Sequence, residues 1–249
     1  MKKKVMLITG ASRGIGAHTA KLAAQSGYQV AINYQTNELA AQAVLNEIRQ
    51  QGGQAQAFQA DVSDPASVEG LFKAVDQAFG PLDVLVNNAG ILELFPVPQA
   101  TPERIERSFR SNVFSLFYCA RAAIERMSTD LGGKGGVIIN VSSVAARIGS
   151  IAGGTVYTAT KAAVDGFNLS LAHEVGPQGI RVAGVRPGVI ATDMQVMRGG
   201  IDKAAEFATG ATSLKRIGQP EEVAQTIVWL ASDAASYVHG AMLDVTGGR

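Results

Sequence analysis

The chain has 249 residues, 47% of them hydrophobic and 17% charged, and 22 Lys and Arg against 21 Asp and Glu leave a net charge of +1. That length carries one large α/β domain with a full core, and the near-neutral balance excludes long-range attraction to nucleic acid or to an anionic membrane. No polar low-complexity tract is present, and no apolar run approaches the roughly 18 residues of a membrane helix.

Short β-branched runs alternate with longer helical patterns along the chain, which predicts a parallel sheet covered on both faces. The basic cluster Lys2-Lys3-Lys4 precedes only Val5 to Ile8 and then Thr9-Gly10. That run is too short for a secretory core, so a first strand over Val5 to Thr9 and a cytoplasmic location are expected. Further strands are expected over Gln29 to Asn33, Gln54 to Gln59, Val84 to Asn87, Val137 to Val141, Arg181 to Val185 and Met242 to Val245. Between them, Asp64-Pro65, Thr101-Pro102-Glu103 and Gln219-Pro220-Glu221-Glu222 place Pro at a first helical position, the first two with a capping side chain. Gly27, Gly52-Gly53 and Gly80-Pro81 mark helix ends. Thr192 to Leu214, rich in Met, Gly and Ala, breaks the pattern; it reads as a mobile substrate lid or as a surface helix pair.

The first strand runs into Thr9-Gly10-Ala11-Ser12-Arg13-Gly14-Ile15-Gly16 and then a helix. Strand, glycine turn and helix N-terminus together suit a pyrophosphate, which backbone amides and the helix dipole attract. The Lys-Ser/Thr of a triphosphatase loop is missing, which argues against ATP or GTP hydrolysis. Tyr157 and Lys161 are four residues apart and share a helix face, where an ammonium favours ionisation of a phenol and makes it a usable proton shuttle. The single cysteine, Cys119, reads as a buried core thiol, and His18, His173 and His239 lack metal-ligand spacing, so no metal site is expected. A serine hydrolase is excluded by the absence of a Gly-x-Ser-x-Gly elbow and of a usable His and Asp after Ser143.

The Gly-x-x-x-Gly-x-Gly spacing, Asn87-Asn88-Ala89-Gly90 after the fourth strand, and Ser143, Tyr157 and Lys161 in that order resemble the short-chain dehydrogenase/reductase family over essentially the whole chain. The resemblance implies one domain over 1–249: a Rossmann-type, doubly wound parallel sheet of about seven strands with helices on both faces. It implies that Gly10, Ser12, Gly14, Ile15 and Gly16 cradle the phosphates of a nicotinamide dinucleotide. Asp61 and Val62 would meet the adenine; Asn88, Ala89 and Gly90 would line the adenosine ribose. In Pro187-Gly188-Val189-Ile190-Ala191-Thr192, Ile190 and Thr192 would meet the carboxamide and the phosphates. Lys161 would also bond the nicotinamide ribose.

No carboxylate ends the second strand (Asn33-Tyr34-Gln35-Thr36-Asn37), and Arg13 stands in the glycine turn, so NADP(H) is expected over NAD. By resemblance the catalytic set is Asn112, Ser143, Tyr157 and Lys161. Tyr157 follows Ser143 by 14 residues, one more than in many members, and Ser142 is the alternative serine. The implied reaction is hydride transfer between NADP(H) and a ketone or secondary alcohol. Alternatives are a 3-oxoacyl-carrier-protein reductase or glucose dehydrogenase-like member and, in another class, a non-catalytic NADP-binding sensor. The carrier-dependent reductases use basic residues beside the site, and here the matching places hold Lys134 and Gln178. The expected lining, Leu92, Leu94, Phe95, Ile148, Ile151, Met194 and Met197, suits an uncharged small-molecule substrate. Most members are tetramers, which makes a homotetramer the expected assembly.

Overall fold

Apolar residues that repeat with period two on both faces of a strand must be covered twice, and this chain meets that demand with a single sheet between two helical layers. The computed structural model describes residues 3–249, leaving aside the Arg198 side chain; Met1 and Lys2, the start of the basic cluster, lie outside the described residues. Seven strands, β1 (Val5–Ile8), β2 (Gln29–Tyr34), β3 (Gln54–Gln59), β4 (Val84–Asn87), β5 (Gly136–Val141), β6 (Ile180–Pro187) and β7 (Met242–Val245), form one sheet in the order β3-β2-β1-β4-β5-β6-β7. Every neighbouring pair is parallel. All seven expected strands are present, with ends that differ by at most two residues.

Side chains along each strand sort to alternate faces. Met6 and Ile8 of β1, Val84 and Val86 of β4, and Ile139 and Val141 of β5 join one core with α1 (Gly14–Gln25), α2 (Glu38–Gln50) and α9 (Pro220–Ala231). Val5, Leu7, Leu85 and Ile138 join the other, beneath α3 (Pro65–Phe79), α5 (Ser115–Met127) and α7 (Thr155–Val175). Cys119 lies in this second core at 1% exposure, and burial pushes its thiol up to about 12.

The helix starts follow the sequence signals. Asp64 accepts from the Ser67 amide and Thr101 from the Arg104 amide, while Glu222 of α9 reaches back to accept from the Gln219 amide at 2.7 Å. α4 (Pro102–Phe109) runs into α5 through one π-turn, Arg110–Phe114. The segment from Thr192 is helical: a 3-10 stretch, Asp193–Arg198, then α8 (Ile201–Ala211), whose Ala204 and Ala208 pack on Val189.

Across the sheet runs a buried amide ladder that no local pattern announces. Asn87 Nδ2 donates to Asn140 Oδ1 at 2.9 Å, Asn140 Nδ2 to Asn168 Oδ1 at 3.1 Å, and Asn168 Nδ2 to the Gly240 carbonyl at 3.1 Å. The ladder ties β4, β5, α7 and the turn before β7. Asn140→Ala leaves a donor and an acceptor unpaired in the interior, so it is expected to destabilise the fold by about 2–4 kcal/mol in urea unfolding. A loss below about 1 kcal/mol would show that the ladder contributes little.

Candidate active site

In the sheet order, β1 lies between β2 and β4, and the chain leaves in opposite directions from that point. Such a switch opens a crevice at the carboxyl ends of the strands, where doubly wound sheets take their ligands. Thr9 and Asn88 shape the crevice. The Thr9 hydroxyl accepts from the amides of Asn88 and Ala89 at 3.0 Å each, and Asn88 Nδ2 returns bonds to the carbonyls of Thr9 at 2.8 Å and Gly10 at 3.1 Å. Asn33 holds the other flank: its Oδ1 accepts from the Gly10 amide at 3.1 Å and its Nδ2 donates to the Ala60 carbonyl at 3.0 Å. Asn33 was read only as the end of a strand, because its partners are remote in sequence.

Gly16 sits where these lines meet. A Cβ there would fall 2.5 Å from Asn88 Nδ2, 2.7 Å from the Gly10 carbonyl oxygen and 2.9 Å from Ala11 Cα. Glycine is therefore required by backbone approach, and the bare amides at the start of α1 are left with a cradle that no side chain fills. Gly10 and Ser12 lie in this turn and Gly14, Ile15 and Gly16 open α1, and Gly14 faces the Thr192 methyl, 3.3 Å from where its own Cβ would stand. Arg13 is exposed, its guanidinium 4.0 Å from Asp193. Asp61 follows β3; one of its carboxylate oxygens accepts from the amide and hydroxyl of Ser63, and Val62 beside it is buried.

Pro187 ends β6 in register with Val245, and Gly188 just beyond it faces Thr246, whose Cα a Cβ on Gly188 would meet at 2.8 Å. Ile190 bridges Gly218, whose amide and carbonyl pair with Val189 and Ala191 and so turn the Ile190 peptide edge the other way. The Ile190 side chain lies in the core at 4% exposure, and its carbonyl accepts from Gln195 Nε2 at 2.7 Å. Gln195, buried at 6%, carried no signal in the sequence.

The second half of the crevice is built by β5, the π-turn and α7. Ser142 and Ser143 follow β5 on opposite faces. The Ser142 hydroxyl donates to the Lys161 carbonyl at 3.0 Å, a structural bond that ties the end of β5 to α7, whereas Ser143 Oγ accepts from the Ala145 amide at 3.1 Å and keeps its proton for another partner. Tyr157, in the first turn of α7, is 7% exposed and packs with Leu92, Leu94 and Ala145. One turn on, Lys161 is 5% exposed; its Nζ donates to the Val141 carbonyl at 2.9 Å and lies 5.9 Å from the centre of the Tyr157 ring. Burial pushes the Lys161 ammonium down to about 8, with Asp165 pulling the other way. Asn112, fully buried in the π-turn, clamps the Ile91 peptide: its Oδ1 accepts from the amide at 2.7 Å and its Nδ2 donates to the carbonyl at 2.9 Å. Between them lies Gly90, whose Cβ would stand 3.0 Å from Asn112 Oδ1 and 3.5 Å from Lys161 Nζ.

Of the expected lining, Ile148, Met194 and Met197 are exposed, and Leu92 and Leu94 lie against Tyr157. Phe95 is withdrawn, 2% exposed beneath the Arg104 guanidinium. Among the described residues no group of His, Cys, Asp and Glu is placed to hold a metal ion, and no helix is long and apolar enough to cross a membrane.

A doubly wound sheet with a glycine cradle at its switch point, and a buried tyrosine and lysine at its carboxyl edge, defines the class of nucleotide-binding α/β proteins. Within that class, residues 10–249 match the family model described as "Enoyl-(Acyl carrier protein) reductase". The chain is 50% identical over 246 residues to the "Uncharacterized oxidoreductase YgfF" of Escherichia coli (strain K12), spanning 98% of this chain and 99% of that protein. It is 39% identical to the "3-oxoacyl-[acyl-carrier-protein] reductase FabG" of Staphylococcus aureus, over 98% of this chain and 97% of that one. A short-chain dehydrogenase from Burkholderia cenocepacia J2315, solved in complex with NADP, superposes with a TM-score of 0.89 at 33% identity, covering 100% of this chain and 98% of its own. The chain belongs to the short-chain dehydrogenases/reductases and is an oxidoreductase of that family.

The Gly16 contact generates a clean pair of expectations. Gly16→Ala forces backbone apart and is expected to cost about 1–3 kcal/mol, whereas Gly70→Ala on α3, where a side chain would meet open space, is expected to be neutral or to stabilise by up to about 1 kcal/mol. Thermal and urea unfolding of both variants checks the contrast, and equal effects would contradict it.

Proposed function

We propose that the protein transfers a hydride between NADP(H) and a ketone or secondary alcohol, with Tyr157 as the acid in reduction and the base in oxidation. The observation that carries this reading is the Lys161 ammonium, buried at the Val141 carbonyl and beside the Tyr157 ring. A cation held there favours the phenolate and lowers the barrier to giving up the phenolic proton. Ser143, with its hydroxyl proton uncommitted to Ala145, donates to the substrate oxygen as charge grows on it. In reduction the Tyr157 O–H bond breaks as a bond from that proton to the substrate oxygen forms; oxidation reverses both. Asn112 acts at one remove, by fixing the Ile91 peptide and the wall against which Lys161 rests.

The cradle fits a dinucleotide: Gly10, Ser12, Arg13, Gly14, Ile15 and Gly16 would hold its phosphates, Asp61 and Val62 its adenine, and Asn88, Ala89 and Gly90 its adenosine ribose. Pro187, Gly188, Ile190 and Thr192 would hold the nicotinamide end, with Tyr157 and Lys161 beside that ribose. Bound there in reduced form, the nicotinamide supplies the hydride. NADP is favoured over NAD because β2 ends in Tyr34-Gln35 without a carboxylate and Arg13 stands exposed at the turn; its contact with Asp193 is solvent-screened and yields readily to a phosphate. The NADP-bound relative supports the same choice.

A carrier-protein reductase is the second reading, supported by the named relative at 39% identity. Against it, Lys134 and Gln178 immediately precede β5 and β6 and so lie at the opposite edge of the sheet from Ser143. We place the protein in a homotetramer, supported by the exposed Phe114 of the π-turn before α5, Phe117 of α5 and Leu169 of α7. Light scattering at micromolar concentration is expected to give four chains, and a monomer would overturn that assembly.

Incubating the protein with NADPH or NADH and a panel of ketones, sugars, diketones and an acetoacetyl thioester tests the reaction. Turnover is expected with NADPH over NADH, a loss of at least about 100-fold in Tyr157→Phe and Ser143→Ala, and little loss in Ser142→Ala. A Tyr157→Phe variant as active as the wild type, or no turnover on any of the panel, would overturn the catalytic reading in favour of an NADP-binding sensor.

A further inference from the structure

Lys161 is one end of a charge ladder that leaves the crevice through α7 and crosses two strands. Asp165 stands one helical turn beyond Lys161. Its Oδ2 accepts from Arg186 Nε of β6 at 2.7 Å, while its Oδ1 is buried with no hydrogen-bond partner among the described residues. Arg186 reaches on through Nη1 to Asp244 of β7 at 3.3 Å and to the Met242 carbonyl at 3.4 Å. Asp244 in turn pairs with Arg147 Nη2 at 3.1 Å, in the helical turn α6 (Ala145–Ile148) that follows Ser143. Arg186 and Asp165 are each about a fifth exposed, so solvent screens this pair far less than a surface bridge.

A carboxylate with one buried oxygen unpaired is costly unless a nearby cation uses its field. Arg186 orients the Asp165 carboxylate but also offsets part of its charge. The groups that face Lys161 are Tyr157 from its own helix, the Val141 carbonyl from β5 and the Asn112 amide across Gly90. Asp165 is the charged residue that acts on it, with Arg186, Asp244 and Arg147 farther out. We infer that Asp165, aimed by Arg186, is an electrostatic positioning residue that keeps the Lys161–Tyr157 pair protonated at neutral pH. This inference rests on the proposed role of that pair.

The sign is fixed by charge alone. In ketone reduction the competent pair carries both the Tyr157 and the Lys161 proton, and removing a negative charge nearby makes either proton easier to lose. Asp165→Asn is therefore expected to move the alkaline limb of kcat/KM for reduction to lower pH by about half to one unit, and Arg186→Met to move it to higher pH. The double variant is expected to lie between the two. A role confined to packing would move both single variants the same way or neither.

A readout independent of turnover is the titration of the Lys161 13Cε resonance, assigned by its loss in Lys161→Met. Its midpoint is expected to fall in Asp165→Asn and rise in Arg186→Met, with Arg186→Gln taking the latter's place if the Met variant does not fold. Opposite shifts of the two single variants support the inference; unmoved or parallel shifts in the resonance overturn it. A wild type without Tyr157-dependent turnover would sink the catalytic reading and leave the resonance titration to decide the electrostatic one.

Discussion

The carboxyl edge of this sheet is organised around one ammonium group taken out of water. An isolated buried lysine loses its charge readily, and the fall of Lys161 to about 8 reflects that cost. Several features offset it: the Val141 carbonyl at the end of β5, an aromatic face one turn back, and a carboxylate one turn on. Each requires a different element to arrive at one place, and this explains the demands on the neighbours. Gly90 leaves little space for a side chain because a Cβ there would press on the Asn112 amide oxygen at 3.0 Å, with Lys161 Nζ beside it, and Ser142 is spent fastening the lysine's own carbonyl to the strand.

The glycine cradle and the catalytic edge are one construction rather than two. Asn88 closes the glycine turn from β4, and two residues later the same loop reaches Gly90 beside Lys161. Asn87, immediately before, starts the amide ladder that ends at the turn leading into β7. Three of four successive residues, Asn87, Asn88 and Gly90, thus fix the glycine turn, a buried polar spine and the wall beside Lys161. Interior amides of this kind add little net stability when paired, yet a shift of any strand would break several at once, so they favour one register over others.

Much of this was legible in the sequence because parallel strands buried on both faces are written as short β-branched runs, and because Pro, Asp and Thr at helix starts act locally. The glycine turn, Tyr157 and Lys161 were legible for a related reason: their spacing is itself the geometry, whereas Asn88 was legible only through the family resemblance. What escaped were pairings between distant segments. Asn33, Asn140, Asn168 and Gln195 look like ordinary polar residues until the fold brings their partners to them. The same holds for Arg186 and Asp244, whose partners come from other elements. Phe95 was misplaced as lining because its cover, Arg104, comes from the following helix, and Thr192 to Leu214 was hard to read because Ala and Gly hide a helix held by tertiary packing.

The π-turn between α4 and α5 carries a consequence of its own. One widened turn inserts an extra residue into the helical count, so the two helices it joins are rotated out of phase by about 100°. That slip lets Asn112 point inward while Phe114 and Phe117 face out. Interior wall and outer surface are thereby set by a single frame offset. A one-residue deletion that restored ideal helical winding would smooth the backbone yet pull the amide out of the wall or swing the phenylalanines inward.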